Sequence, residues 1–186
     1  MAFGRLEKRF NAFLIWLASV LIKEEKVANV KEGDKAPEFS AAASNGKTAA
    51  FKDYRGKQRV VLYFYPKDDT PGCTVEACAF RDNIKAVEKL DTVVLGVSPD
   101  GIASHNKFIE KFKLPFVLLS DEDKNICKAY GVWVKKSMYG REYMGVARTT
   151  FIIGKDGKIE RIYEKVKPDG HAEEVLAFLK GRPLDK

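Results

Sequence analysis

Two cysteines and the turn that leads to them carry the chemistry of this chain. Residues 66–78 read Pro-Lys-Asp-Asp-Thr-Pro-Gly-Cys-Thr-Val-Glu-Ala-Cys, directly after the apolar run Val-Val-Leu-Tyr-Phe-Tyr at 60–65. The run predicts a buried strand, because uninterrupted apolar residues imply cover on both faces. Behind the turn, Cys73, Ala77, Phe80, Ile84 and Val87 recur at helical spacing and predict a helix over 73–90. Cys73 then lies near the first turn of that helix, where unpaired N–H groups and the positive dipole end favour thiolate over thiol. With Cys78 five residues on, the stretch points to thiol redox chemistry. The competing reading of Cys73 is an inert core cysteine, since it falls on the apolar stripe.

Composition limits the alternatives. The chain has 186 residues, 45% hydrophobic and 32% charged, as expected of one globular domain with room for a sizeable core. Its net charge of +7 is spread among interleaved lysines and glutamates, which reads as a solvated surface and not as nucleic-acid binding. Three cysteines are too few for a disulfide-stapled scaffold, and two histidines, His105 and His171, leave few soft metal ligands. Neither a metal nor a cofactor is expected.

The elements that position Cys73 follow in order. Residues 1–30 form a separate extension ahead of a main domain at 31–186. In the extension Phe3, Leu6, Phe10, Phe13, Leu17 and Val20 trace a helical apolar face, and Arg5, Lys8 and Arg9 precede an uncharged run at 12–22. The uncharged core at 12–22 is shorter than the roughly 20 residues a membrane-spanning helix needs. Three readings stay open: a helix packed on its own protein or a second copy, an interfacial membrane contact, and a signal peptide. The corresponding locations are cytoplasmic, membrane-associated or exported.

Asn45-Gly46 predicts a hairpin over 39–51. Further strands are expected at 91–97 and 116–119, with a helix between them bearing Ile102, His105, Ile109 and Phe112 and capped from Ser98-Pro-Asp100. A short helix at 121–130 holds Cys127. A strand at 146–153, a turn at Asp156-Gly157 and a strand at 158–163 make a late hairpin. A last helix turns Ala172, Val175, Leu176 and Leu179 inward. Alternating strands and helices with a late hairpin predict an α/β fold, a central mixed sheet flanked by helices.

These residues resemble the peroxiredoxins, and among them the bacterioferritin-comigratory, or Q-type, group. The family pattern P-x3-T-x2-C is met by Pro66, Thr70 and Cys73. Further similarity lies in Leu119-Ser-Asp-Glu-Asp, Tyr130-Gly-Val-Trp and Arg148-Thr-Thr-Phe-Ile-Ile. The likeness covers residues 31–180. It implies a thioredoxin-like fold and a thiol-dependent peroxidase acting on hydrogen peroxide and organic hydroperoxides, as a monomer or weak dimer.

By the same resemblance Cys73 is the peroxidatic cysteine and Cys78 the resolving one. Strand-borne Arg148 completes the site, Thr70 orients the peroxide and Pro66 shields the thiolate. A thioredoxin-like protein is the implied reductant. An ideal helix places Cα atoms five residues apart at about 8.7 Å, beyond the roughly 7 Å that a disulfide tolerates. Joining Cys73 to Cys78 therefore requires the first turns of the helix to unwind. Cys127 matches no catalytic pattern and is read as structural.

A thiol–disulfide oxidoreductase on the same fold is the nearest alternative, and the absence of C-x-x-C stands against it. A membrane-apposed binding module, with the N-terminal helix as its working part, is the other.

Overall fold

The computed structural model describes residues 29–138 and 140–181. The apolar segment at 1–28, and the readings placed on it, lie outside the described residues. Among the described residues no helix is long and apolar enough to cross a membrane.

Nine strands and four α-helices, counted among the described residues, follow the expected order. They are β1 (Ser40–Ala43), β2 (Thr48–Ala50), β3 (Arg59–Phe64), α1 (Pro71–Glu88), β4 (Thr92–Ser98), α2 (Ile102–Phe112), β5 (Val117–Ser120), α3 (Asn125–Ala129), β6 (Trp133–Met138), β7 (Arg141–Val146), β8 (Thr149–Ile153), β9 (Ile159–Tyr163) and α4 (His171–Leu179). Seven strands form one sheet in the order β2-β1-β5-β4-β3-β8-β9. Strands β3, β4 and β5 run parallel, and β8, β9, β1 and β2 join by antiparallel pairing. The sheet is mixed and flanked by helices, as the alternation of elements predicts.

Strand β3 is buried on both faces, and the period of two divides its side chains between two cores. Val60, Leu62 and Phe64 pack with Phe39, Phe51, Tyr130 and Phe151. Val61, Tyr63 and the following Tyr65 pack with the α1 stripe Cys73, Ala77, Phe80, Ile84 and Val87 and with Val175 and Leu176 of α4. The predicted stripe is thus the buried face of α1.

At the centre of the sheet, a Cβ on Gly96 would stand 2.7 Å from both Leu118 Cδ2 and the Tyr63 ring. Gly96→Ala is expected to cost about 1–3 kcal/mol by overpacking, read as a lowered urea midpoint at unchanged m-value.

Three differences from expectation have physical causes. The strand expected at 146–153 is two strands, with Ala147 and Arg148 between β7 and β8. Ser98 and Asp100 do not cap α2, whose N-cap is Gly101 with no side-chain bond. They bond each other instead, Ser98 Oγ donating to Asp100 Oδ2 at 2.7 Å. Finally, β6 and β7 form a separate two-stranded ribbon that sequence periodicity did not announce.

Candidate active site

Strand register decides what meets at the edge of the sheet. Phe64, the last residue of β3, pairs with Thr149, the first of antiparallel β8. The loop leaving β3 and the residue entering β8 therefore share one edge, the carboxyl end of the parallel strands. Open α/β sheets bind their ligands at that end. From the loop comes the start of α1, and from the break before β8 comes Arg148.

Thr70 is the N-cap of α1, with Pro71 at the next position, where a missing N–H costs nothing. The first intrahelical bond runs from Thr74 N–H to the Thr70 carbonyl at 2.9 Å. The N–H groups of Gly72 and Cys73 thus belong to the helix end that carries the positive dipole. Thr70 Oγ1 does not cap the helix; it donates to the Lys67 carbonyl at 3.2 Å. Pro66 is exposed on the same loop.

Cys73 is 1% exposed. Arg148 divides its guanidinium fork: Nη2 donates to Cys73 Sγ at 3.2 Å, and Nη1 donates to Glu76 Oε2. The arginine side chain is 15% exposed and Glu76 fully buried. Burial pushes the Glu76 carboxyl up to about 7, although the Arg148 charge and hydrogen bond pull the other way. Its Oε1 has no partner among the described residues.

The backbone at Gly72 passes close to this arrangement: a Cβ there would lie 3.4 Å from both Arg148 Nη2 and Pro168, at van der Waals contact. Lys136, on β6, donates from Nζ to the Val146 carbonyl at 2.6 Å. Burial and the Arg148 charge hold its amine below the usual lysine range, while Cys73 acts in the opposite sense.

An open groove of about 750 Å³ begins at Arg148 and Lys136 and continues past Trp133, Val134 and Met144. The structure therefore brings Cys73 and Arg148 into contact and holds Thr70 on the turn before them. Cys78 lies half-buried on the same unbroken helix, and all three cysteines are free thiols. Cys127 is fully buried; burial and the neighbouring Asp121 push its thiol far above the ordinary range.

Sequence reading missed Glu76 and Lys136. The signal for Glu76 was its position three residues after Cys73, on the same helical face.

The model of the AhpC/TSA family matches residues 32–162. Peroxiredoxin Bcp of Bacillus subtilis (strain 168) is 47% identical over 151 residues, covering 81% of this chain and 96% of that protein. Among solved structures, a cysteine-to-serine mutant of Xylella fastidiosa PrxQ superposes with a TM-score of 0.78 at 38% identity, covering 83% of this chain and 98% of that one. The Xanthomonas campestris bacterioferritin comigratory protein, described for its alkyl peroxide reduction activity, gives 0.75 at 36% identity, covering 83% and 98%.

The fold is that of the peroxiredoxins, with a thioredoxin-like sheet. The chain belongs to the AhpC/TSA family, and the activity its relatives support is that of a thiol-dependent peroxidase.

Proposed function

We propose that Cys73 is the peroxidatic cysteine, reducing hydrogen peroxide and organic hydroperoxides in a cycle closed by Cys78 and a thioredoxin-like dithiol. The contact from Arg148 to the Cys73 sulfur at the head of α1 carries this reading. The thiolate attacks one peroxide oxygen and the O–O bond breaks. Cys73 becomes a sulfenic acid, and the departing oxygen leaves as hydroxide or alkoxide and takes up a proton. Cys78 then displaces water from the sulfenic acid to give the disulfide. An external dithiol supplies two electrons to restore both thiols.

Ionisation alone is a weak lever, because a free thiol of pKa about 8.5 is already a few per cent thiolate at neutral pH. The larger contribution comes from donors aimed at the peroxide, the Arg148 fork and the α1 amides. The Thr70 hydroxyl, its proton on the Lys67 carbonyl, offers its oxygen to accept from the peroxide. Pro66 shields the thiolate side of the loop. The groove beside Arg148, with Trp133 and Met144 on its walls, offers space for an organic substituent.

Because α1 is continuous through both cysteines, disulfide formation requires its first turns to open in each cycle. Cys127, fully buried with a thiol held protonated, is a poor resolving partner.

Peroxide consumption by wild type, Cys73→Ser and Cys78→Ser tests the scheme with dithiothreitol or thioredoxin as electron source. Cys73→Ser is expected to lose turnover with both donors, and Cys78→Ser chiefly with thioredoxin. Undiminished turnover in Cys73→Ser rejects the assignment. Peptide mapping after one equivalent of peroxide should find Cys73 joined to Cys78 within one chain. Finding it joined to Cys127 or to another subunit sinks the pairing.

A further inference from the structure

The loop that carries Pro66 and Thr70 is fastened to α2 as well as to the helix it begins. Asp68, 6% exposed, accepts three side-chain hydrogen bonds: from the Tyr65 hydroxyl at 2.7 Å, the Ser104 hydroxyl at 2.7 Å and His105 Nδ1 at 2.9 Å. Its own N–H donates to Asp100 Oδ2 at 2.8 Å, the oxygen that Ser98 also reaches. Asp69 adopts a left-handed backbone, φ 53°, and pairs with Lys111 Nζ at 2.7 and 2.9 Å. Ser104, His105 and Lys111 all belong to α2.

This polar cluster is a costly way to fill space. A buried carboxylate is tolerated only when donors replace its water. Burial raises the Asp68 carboxyl, but the bonds from His105, Tyr65 and Ser104 outweigh it and bring the group below the usual range. His105 is fully buried, and its Nε2 has no partner among the described residues. An apolar pair would pack the same volume without desolvation, so what the cluster adds is a fixed loop geometry.

That geometry matters at the thiol. Two residues beyond Asp68, Thr70 closes the turn on the Lys67 carbonyl and supplies the first acceptor of α1. The catalytic scheme requires residues 71–78 to come apart in every cycle, so α1 alone cannot preserve the place of Thr70. Helix α2 can.

We propose that Asp68 and His105 are positioning residues for peroxide reduction: through them α2 keeps Thr70 in place while the start of α1 is open, so that Cys73 meets it at the same height each time the helix re-forms. This rests on the peroxidase reading of Cys73 and Thr70. The pair acts through Thr70 and touches neither thiol nor peroxide.

The test compares wild type, Asp68→Ala, Thr70→Val and the double variant by kcat/KM for hydrogen peroxide and by the rate of Cys73 alkylation with iodoacetamide. Alkylation uses the thiolate but has no need of a held peroxide. Asp68→Ala is expected to lower kcat/KM about ten- to hundredfold, as misplacement by about an ångström does, with alkylation within about twofold of wild type. In the Thr70→Val background the loss caused by Asp68→Ala should shrink to under about threefold, the signature of residues acting as a unit.

Circular dichroism at the assay temperature checks folding. Should Asp68→Ala not fold, Ser104→Ala, which removes one donor, is expected to show the same split at smaller size. A wild-type rate in a folded Asp68→Ala, equal losses in both reactions, or an undiminished loss in the Thr70→Val background each overturns the positioning role. A wild type that consumes no peroxide removes the peroxidase reading, and this proposal with it.

Discussion

Arg148→Met is expected to lower kcat/KM for hydrogen peroxide by about 10²–10³-fold, the scale of losing one preorganised donor at a reacting centre. The guanidinium reaches Cys73 Sγ at 3.2 Å with one nitrogen and Glu76 with the other, and its side chain is only 15% exposed. Water cannot replace it from most directions. The variant should nevertheless fold. Glu76 would lose the charge that pulls its carboxyl down, and burial would then keep it protonated and neutral near pH 7. Arg148→Lys is expected to recover only part of the rate, because one ammonium cannot serve sulfur and carboxylate with a fixed fork. Stopped-flow oxidation of Cys73 gives the rate directly. A rate for Arg148→Met within about threefold of wild type would show that the contact is not used in the reaction.

Much of this site was legible because its parts announce themselves locally. The apolar run at 60–65 is β3, the Cys73 stripe is the buried face of α1, and Asn45-Gly46 turns β1 into β2. What stayed hidden depends on partners distant in sequence. Glu76 looks like an ordinary solvated helix residue until Arg148, 72 residues away, neutralises it inside the core. Asp68 and Asp69 look like polar turn residues, and only the packing of α2 shows that one is buried and the other held by Lys111. The β6–β7 ribbon escaped for the opposite reason. Much of β7 is exposed, so no alternation of apolar residues marks it. Arg148 itself was placed on a continuous strand. The break before Thr149 frees it from the ladder, and the register of β8 with β3 delivers it to Cys73.

Glu76→Gln and His171→Gln are expected to tilt the pH dependence of stability in opposite directions. Burial raises the Glu76 carboxyl from 4.5 to about 7, against the pull of Arg148. The folded protein therefore holds this proton more tightly than the unfolded chain. The stability it contributes is fully present below about pH 4.5 and is lost as pH rises through 7, roughly 3 kcal/mol in all.

His171 behaves in reverse. It is 2% exposed, its Nε2 lies 2.8 Å from Thr150 Oγ1, and burial and the Arg148 charge lower it from 6.5 to about 4. Its contribution is present above about pH 6.5 and is lost as pH falls through 4, again roughly 3 kcal/mol. Between about pH 4.5 and 6.5 the folded state holds one extra proton on Glu76 and lacks one on His171, so the two slopes offset each other. Removing either group exposes the other. Urea midpoints for Glu76→Gln should rise with pH across this window, and those for His171→Gln should fall. In both variants an amide keeps a hydrogen-bonding group where the titrating one stood, so a change of slope reports the lost proton and not a lost contact. Parallel profiles for wild type and both variants would show that neither group changes its affinity for protons on folding. Arg148 faces both groups with opposite consequence, favouring the Glu76 anion and opposing the His171 cation. Arg148→Met should therefore lift the folded-state pH at which each of them titrates, extending the Glu76 slope at its upper end and shortening the His171 slope at its lower end.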